Sequence, residues 1–319
     1  MRSAAVRTLL KRERLMSAAA TIAPIFFVIA LGWAARRRGF FPEPFIVAAN
    51  RLVYYMAIPA MVFRSIAGAS LQGDFDFRVP AVTLAVVLAA FFAAWGWAGV
   101  SGIQRRRRGT FLQCSVHGNL GYIALAVAYY ALGQEGLARA GLIAGFVMIL
   151  QNLLSVAALQ VHGPDGGGRI GSALAKIFAN PVILSAGAGI AFSLTGLSIP
   201  RIIDRSLNIV GDLALPMALL IIGASLSFQR MRHRPMEVLS ACLFKLAILP
   251  AAGLLVFDLL RLPLRDGIPA LILLAAPTAT VSYVMSREMQ GDPDFAGVVI
   301  SASTLLSAGT YVLWLHLAL

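Results

Sequence analysis

The sequence predicts an all-α membrane protein whose ten transmembrane helices form two inverted five-helix repeats, with broken, crossing helices four and nine. Three observations predict it. The 319 residues are 59% hydrophobic and 13% charged, with a mean hydropathy of +0.81, too apolar for a chain whose whole surface faces water. Windows of about 20 residues with few charges, the length that crosses a ~30 Å hydrocarbon layer as helix, run from end to end. Landmarks in the first half also recur in the second at one offset of 157 residues, as in carriers built from two related halves.

The windows span residues 16–35, 45–67, 79–100, 111–132, 137–161, 173–194, 207–228, 238–260, 268–286 and 295–319. The first follows a basic tail, residues 1–15, and is closed by Arg36 to Arg38; the second carries a mid-span Pro59. The third, AVTLAVVLAAFFAAWGWAGV, is apolar on every face, which excludes the two-residue alternation of a membrane β-barrel. It ends at Arg105 to Arg108, expected to be a loop that stops translocation. The fourth contains HGNLGYIALA and the fifth FVMILQNLLSV, giving a first repeat over residues 16–161. A Gly-rich linker, residues 162–172, opens with HGPDGGGR and offers no apolar face to pack. The second repeat, residues 173–319, holds GAGIAF in helix six, Pro216 in helix seven, Lys245 in helix eight and APTATVSYVMSRE in helix nine.

A formal charge of +13 would suggest nucleic acid in a soluble chain. Here the basic residues occupy short loops and set orientation instead, so no nucleic-acid partner is expected. Loops after odd-numbered helices and their flanks carry thirteen Lys and Arg, against seven after even-numbered ones. The reading therefore places odd loops in the cytoplasm and both termini outside, in a multi-pass cell-membrane protein (the inner membrane if the source is bacterial). The tail MRSAAVRTLLKRERL, with five basic residues, opposes export. Translation is accordingly expected to begin at Met16, which mass spectrometry of the native N-terminus tests. Cys114 and Cys242 both fall in spans and read as small apolar fillers.

At the 157-residue offset, Pro24 and Gly32 fall on Pro181 and Gly189, and Pro59 falls on Pro216. Asn119-Leu120-Gly121 falls on Ala276-Pro277-Thr278. Five helices per half make the second half enter from the opposite side, and such inverted repeats bind their cargo near the bilayer midplane at discontinuous helices.

Asn119 and Gly121, and Pro277 with Thr278, Thr280 and Ser282, occupy mid-span positions where proline removes an amide and glycine relaxes the backbone. Broken helices free polar main-chain groups that only a protein-lined cavity satisfies, and their N-terminal ends favour an anion. The simpler alternative is a plain kink. Lys245, two turns into its span, either neutralises an anionic substrate or pairs with a carboxylate such as Asp212. Asp212 is the candidate for a coupling proton or sodium, or a plain interfacial aspartate. Gln151, Asn152 and Ser155 form a polar stripe that lines a solute path or bonds between helices, and Tyr122 is placed at the interface or in the cavity. The four dispersed histidines and the lack of HExxH, GxSxG or Walker patterns give no metal, cofactor or enzyme chemistry.

The second half resembles the auxin efflux carrier family, within the wider bile acid, arsenite and riboflavin transporter-like group. The residues that carry the likeness are NPVILSAGAGIAF (180–192), LALPMALLIIGASL (213–226), Lys245 with Pro250, APTATVSYVMSREMQGDP (276–293) and STLLS (303–307). In the first half PIFFVIALGWAARRRGF and RLVYYMAIPAMVF are similar to that family's opening helices. The resemblance implies a secondary transporter that moves a small organic anion such as a carboxylate by elevator-like sliding of a transport unit, with homodimers formed through the scaffold. It implies a substrate site of Asn119, Gly121, Tyr122, Asn152, Pro277, Thr278 and Lys245. A sodium- or proton-coupled symporter is the alternative, and a membrane enzyme or assembly subunit a more distant one. One departure is plain: where family members often read N-x-G-x-x-G-x-P, this chain has Ala124 and Ala126 for the second glycine and the proline.

Overall fold

The computed structural model describes residues 2–68, 76–163, 180–226 and 235–318, with backbone alone for residues 2–15 and 17. Among the described residues all regular structure is helical, without a strand. In chain order the helices are α1 (Arg2–Arg37), α2 (Glu43–Ala67), α3 (Arg78–Val100), α4 (Arg105–Val116), α5 (Leu125–His162), α6 (Pro181–Leu194), α7 (Arg201–Gly211), α8 (Ala214–Ser225), α9 (Pro235–Leu259), α10 (Leu264–Leu274), α11 (Val281–Glu288) and α12 (Pro293–Ala318). Proline opens several of them, where its missing amide costs nothing. Pro181 is the first residue of α6, and Asn180 before it caps the helix by accepting from the amides of Val182 and Ile183 at 2.9 and 3.4 Å.

Among the described residues seven helical stretches are long and apolar enough to cross a membrane: Ala18–Arg37, Glu43–Ala67, Arg78–Val100, Leu120–His162, Arg201–Ser225, Pro235–Leu259 and Pro293–Ala318. The chain is a multi-pass membrane protein. The stretch of 43 residues from Leu120 to His162 would run about 65 Å as straight helix, twice the hydrocarbon thickness. Gly133 interrupts it with a φ of +71°, a conformation in which a Cβ is strained. The remaining predicted spans are shorter or divided: α6 has 14 described residues, with 173–179 outside the described residues, and α4, α10 and α11 have 12, 11 and 8.

Two local expectations are corrected. Arg105 to Arg108 form the first turn of α4 rather than a loop, because Arg107 is held by carboxylates on two other elements. Helix seven, expected as one span over residues 207–228, begins at Arg201 and is divided at Asp212 and Leu213 into α7 and α8, so Pro216 lies in the first turn of a new helix. Pro59 does lie inside a helix, preceded by a π turn at Val53–Ala57; a second π turn, Phe244–Ile248, precedes Pro250 in α9. A proline ring collides with the carbonyl four residues earlier, and the wider π turn gives it room.

Helices α1, α2, α6, α7 and α8 pack chiefly on one another, and α3, α4, α5 and α9 to α12 form a second group. In the first group α1 and α8 touch backbone to backbone. A Cβ on Gly32 would lie 2.2 Å from the Leu220 carbonyl oxygen, and one on Gly223 1.9 Å from that of Ile29. Small residues allow such approach where lipid supplies no hydrophobic drive between helices. Arg64 on α2 also grips Asp204 on α7 through Nε at 2.7 Å and Nη2 at 3.2 Å.

Ion pairs tie the second group at both ends. Arg107 on α4 reaches Glu237 at the start of α9 at 2.9 Å and Asp292 before α12 at 2.8 Å. At the other end buried Arg139 on α5 pairs with Asp266 on α10, while Glu135 accepts from Arg139 at 3.0 Å and from Arg265 at 2.5 Å.

Candidate functional site

Both predicted helix breaks occur, and they meet. Helix α4 stops at Val116; His117 is extended (φ −78°, ψ 97°), and a π turn at Leu120–Ala124 leads into α5. On the other side α10 ends at Leu274, Pro277 has no amide with which to continue the helix, and α11 starts at Val281. Gly118 and Thr278 pair as an isolated antiparallel bridge. The Asn119 amide donates to the Pro277 carbonyl at 2.7 Å, and the Ala279 amide to the His117 carbonyl at 2.9 Å. Unpaired main-chain groups in so buried a place would each cost several kcal/mol, so each interruption satisfies the other.

Side chains from flanking helices complete the junction. Gln151 on α5 accepts from the Gly118 amide at 3.1 Å and donates to the Val116 carbonyl at 2.9 Å. Thr278 donates its hydroxyl to the Cys114 carbonyl at 2.8 Å, and its amide donates to Ser303 Oγ on α12 at 3.1 Å. His117 Nδ1 lies 2.9 Å from Ser155 Oγ, which donates to the Gln151 carbonyl at 2.7 Å.

Fully buried Lys245 extends from the π turn of α9 into this junction. Its amine donates to the Leu274 carbonyl at 2.7 Å. A Cβ placed on Gly118 would lie 3.2 Å from Lys245 Cε and 3.3 Å from Nζ. Among the described residues no carboxylate pairs with that amine. The side-chain Nδ2 of Asn119, a residue 4% exposed, has no hydrogen-bond partner either, nor do the buried hydroxyls of Ser282 and Thr304. The Asn119 side chain and the Lys245 ammonium, which keeps two protons beyond its bond to Leu274, thus stand at a junction built of carbonyls and amides.

The structure brings Asn119, Pro277, Thr278 and Lys245 together. Gly121 sits in the π turn, where a Cβ would make ordinary contact with Met148 Cε at 3.7 Å and Ile58 Cδ1 at 4.0 Å. Tyr122 is directed at α2, its hydroxyl donating to Asn50 Oδ1 at 2.8 Å. Asn152 donates to the Met148 carbonyl of its own helix at 2.7 Å, as polar side chains in helices often do; its neighbour Gln151 is the one bonded to the break. Asp212 is exposed in the turn between α7 and α8, accepting from Asn208 Nδ2 at 2.9 Å. It forms no pair with Lys245, because the helix break carries its carboxylate to the surface.

Sequence reasoning passed over His117, Gly118 and Ser303. The histidine was weighed only as a metal ligand, and its place directly before Asn119 was the available signal. Ser303 stood within the STLLS run without an assigned partner.

The sequence profile of a family described as "Membrane transport protein" matches residues 17–161 and 169–315. An "Uncharacterized transporter" of Methanothermobacter thermautotrophicus is 24% identical over 300 residues, 94% of this chain and 98% of its own length. A "Putative malonate transporter" of Rhizobium meliloti is 26% identical over 303 residues, 93% of this chain and 94% of its own. An "Uncharacterized transporter" of Escherichia coli is 26% identical over 243 residues, covering 73% of this chain and 76% of that protein.

Proposed function

Because the chain belongs to the membrane transport protein family, and is a transporter rather than an enzyme, we propose that it carries a small organic anion of the carboxylate class at the junction of its two interrupted helices. The single observation that carries this reading is the buried Lys245 amine, which has no carboxylate partner among the described residues and lies against Gly118. A cation in a low-dielectric interior is stable only when paired, and a carboxylate cargo is the counter-charge that fits. The unpartnered side-chain Nδ2 of Asn119 supplies a second donor. The N-terminal ends of two helical segments, at Leu120 and Val281, begin within three residues of the bridge and favour negative charge there. The relative named as a malonate transporter supports the same class.

In this reading the membrane is crossed ten times: by the six long stretches other than Leu120–His162, by α6, by α4 with residues 120–132, by residues 134–162, and by α10 with α11. The halves are inverted repeats, with the termini outside and the odd loops in the cytoplasm. The helix group tied at both ends by Arg107 and Arg139 is the sliding unit, and the group of α1, α2 and α6 to α8 is the scaffold through which two copies dimerise. Asn119, Thr278 and Lys245 form the cargo site. Pro277 makes the break, Gly121 and Tyr122 line the seam with α2, and Asn152 and Asp212 lie outside the site.

Protein reconstituted in liposomes tests this. Saturable uptake of labelled malonate is expected, with Lys245→Met and Asn119→Ala each lowering uptake at limiting substrate by about tenfold or more, since a hydrogen bond to a charged group is worth roughly 1.5–3 kcal/mol. Wild-type rates in both variants would remove the site.

A further inference from the structure

The junction holds one titratable ring that the cargo site does not use. His117 is 4% exposed and stands one residue from Gly118, against which the Lys245 amine lies. Ser155 fixes its tautomer: a hydroxyl has one proton, and that of Ser155 goes to the Gln151 carbonyl at 2.7 Å. With the hydroxyl proton assigned to that carbonyl, the imidazole donates from Nδ1 at the 2.9 Å contact. In the neutral ring Nε2 is then the unprotonated nitrogen, and the only ring atom able to gain a proton.

Charge balance gives that nitrogen a task. Lys245 offers one positive charge, which matches a monoanion. A dicarboxylate brings a second negative charge to a depth where an uncompensated charge is expensive. We propose that His117 is the coupling-proton site of this carrier: Nε2 binds one proton as a dicarboxylate enters, and the imidazolium and the Lys245 ammonium together neutralise the dianion. Dianion and proton move as one unit, and the proton leaves Nε2 when the cargo leaves. The inference rests on the carrier reading above.

Lys245 on α9 is the other titratable group that the structure brings to this junction, and in the carrier reading its ammonium already meets the first charge of the cargo, which leaves His117 to take the proton. From α5 come Ser155 and Gln151, and from the opposite break Thr278, none of which titrates near neutrality. No described carboxylate pairs with His117.

The test compares malonate with malonamate, of nearly the same shape but one charge fewer, in proteoliposomes holding a pH indicator. For the wild type an acid-outside gradient should accelerate malonate uptake and each malonate should bring in about one proton, while malonamate uptake ignores the gradient. In His117→Asn the amide nitrogen can still donate to Ser155 but cannot titrate. That variant should lose the proton signal and shift its preference from malonate towards malonamate by about tenfold or more. Calorimetry of malonate binding to the wild type in buffers of different ionisation enthalpy should independently report uptake of about one proton. Malonate uptake indifferent to the gradient, binding without proton uptake, or a proton signal that survives in His117→Asn would each overturn the proposal. Absence of uptake for both compounds would instead overturn the carrier reading on which it rests.

Discussion

The amide of Asn119 donates to the carbonyl of Pro277 at 2.7 Å, joining the two halves of the chain by a main-chain bond at the point where both have lost their helix. Proline cannot donate and ends a helix there, yet its carbonyl is free to accept. The same residue that opens one break therefore closes the other. With the reciprocal bond from Ala279 to His117, the junction is satisfied without a ligand along its main chain, and its unspent donors are side chains, Asn119 and Lys245.

Gly118 is closely enclosed in that junction. A methyl there would meet Leu120 Cδ2 at 3.1 Å, Lys245 Cε at 3.2 Å and Nζ at 3.3 Å, all of them ends of flexible side chains. Gly118→Ala is expected to displace the lysine rather than unfold the protein. Malonate uptake at limiting concentration should fall several-fold, and thermal unfolding should change by less than about 1 kcal/mol. A large loss of stability without a loss of uptake would mean that Lys245 does not hold cargo.

Gln151 and Asn152 are adjacent in sequence and opposite in consequence. Gln151→Leu leaves the Gly118 amide and the Val116 carbonyl unpaired in a buried place, at about 1–3 kcal/mol for each orphaned group. Asn152→Leu removes only a bond to the preceding turn of its own helix and should change stability by less than about 1 kcal/mol. Thermal unfolding in one detergent compares them, and equal losses would contradict the assignment of Gln151 as the clamp of the break.

That pair also marks what the sequence could and could not disclose. Pro277 and Gly121 announce the two interruptions because their effect is local: a missing amide or a missing Cβ acts wherever the residue stands. Which of two neighbouring amides faces the break depends on helix rotation, about 100° per residue, and a stripe of Gln151, Asn152 and Ser155 leaves that rotation undetermined. Asp212 was misleading for a related reason. Its apolar surroundings suggested a continuous span, whereas the chain turns at Asp212 and Leu213 and exposes the carboxylate. Arg105 to Arg108 read as a loop by charge alone, because the carboxylates that hold Arg107, Glu237 and Asp292, are 130 and 185 residues away.

Arg107 bridges two carboxylates from different elements, with its own side chain 12% exposed. Lysine carries the charge but lacks the planar fork that meets both partners at once. Arg107→Lys should lose about 1 kcal/mol and Arg107→Ala about 2–4 kcal/mol, the larger loss coming from two half-buried carboxylates left without a cation. Thermal unfolding at neutral pH distinguishes this from a surface pair, for which both substitutions would change stability by less than about 1 kcal/mol.

The contact between α1 and α8 is a different kind of constraint, steric and without charge. A Cβ on Gly223 would stand 1.9 Å from the Ile29 carbonyl oxygen and 2.9 Å from the Trp33 amide nitrogen, and backbone on the far side cannot swing away as a side chain would. Gly223→Ala must push the two helices apart along their length, which undoes close packing where lipid offers no compensating hydrophobic force. A loss of about 2–4 kcal/mol is expected. Gly309 on α12 has nothing within 4 Å of its Cβ position, so Gly309→Ala should be neutral or stabilising by up to about 1 kcal/mol through helix propensity alone. Measured side by side, the two variants separate steric contact from propensity: a loss at Gly309 equal to that at Gly223 would show that the close approach of α1 and α8 is not what the glycine serves.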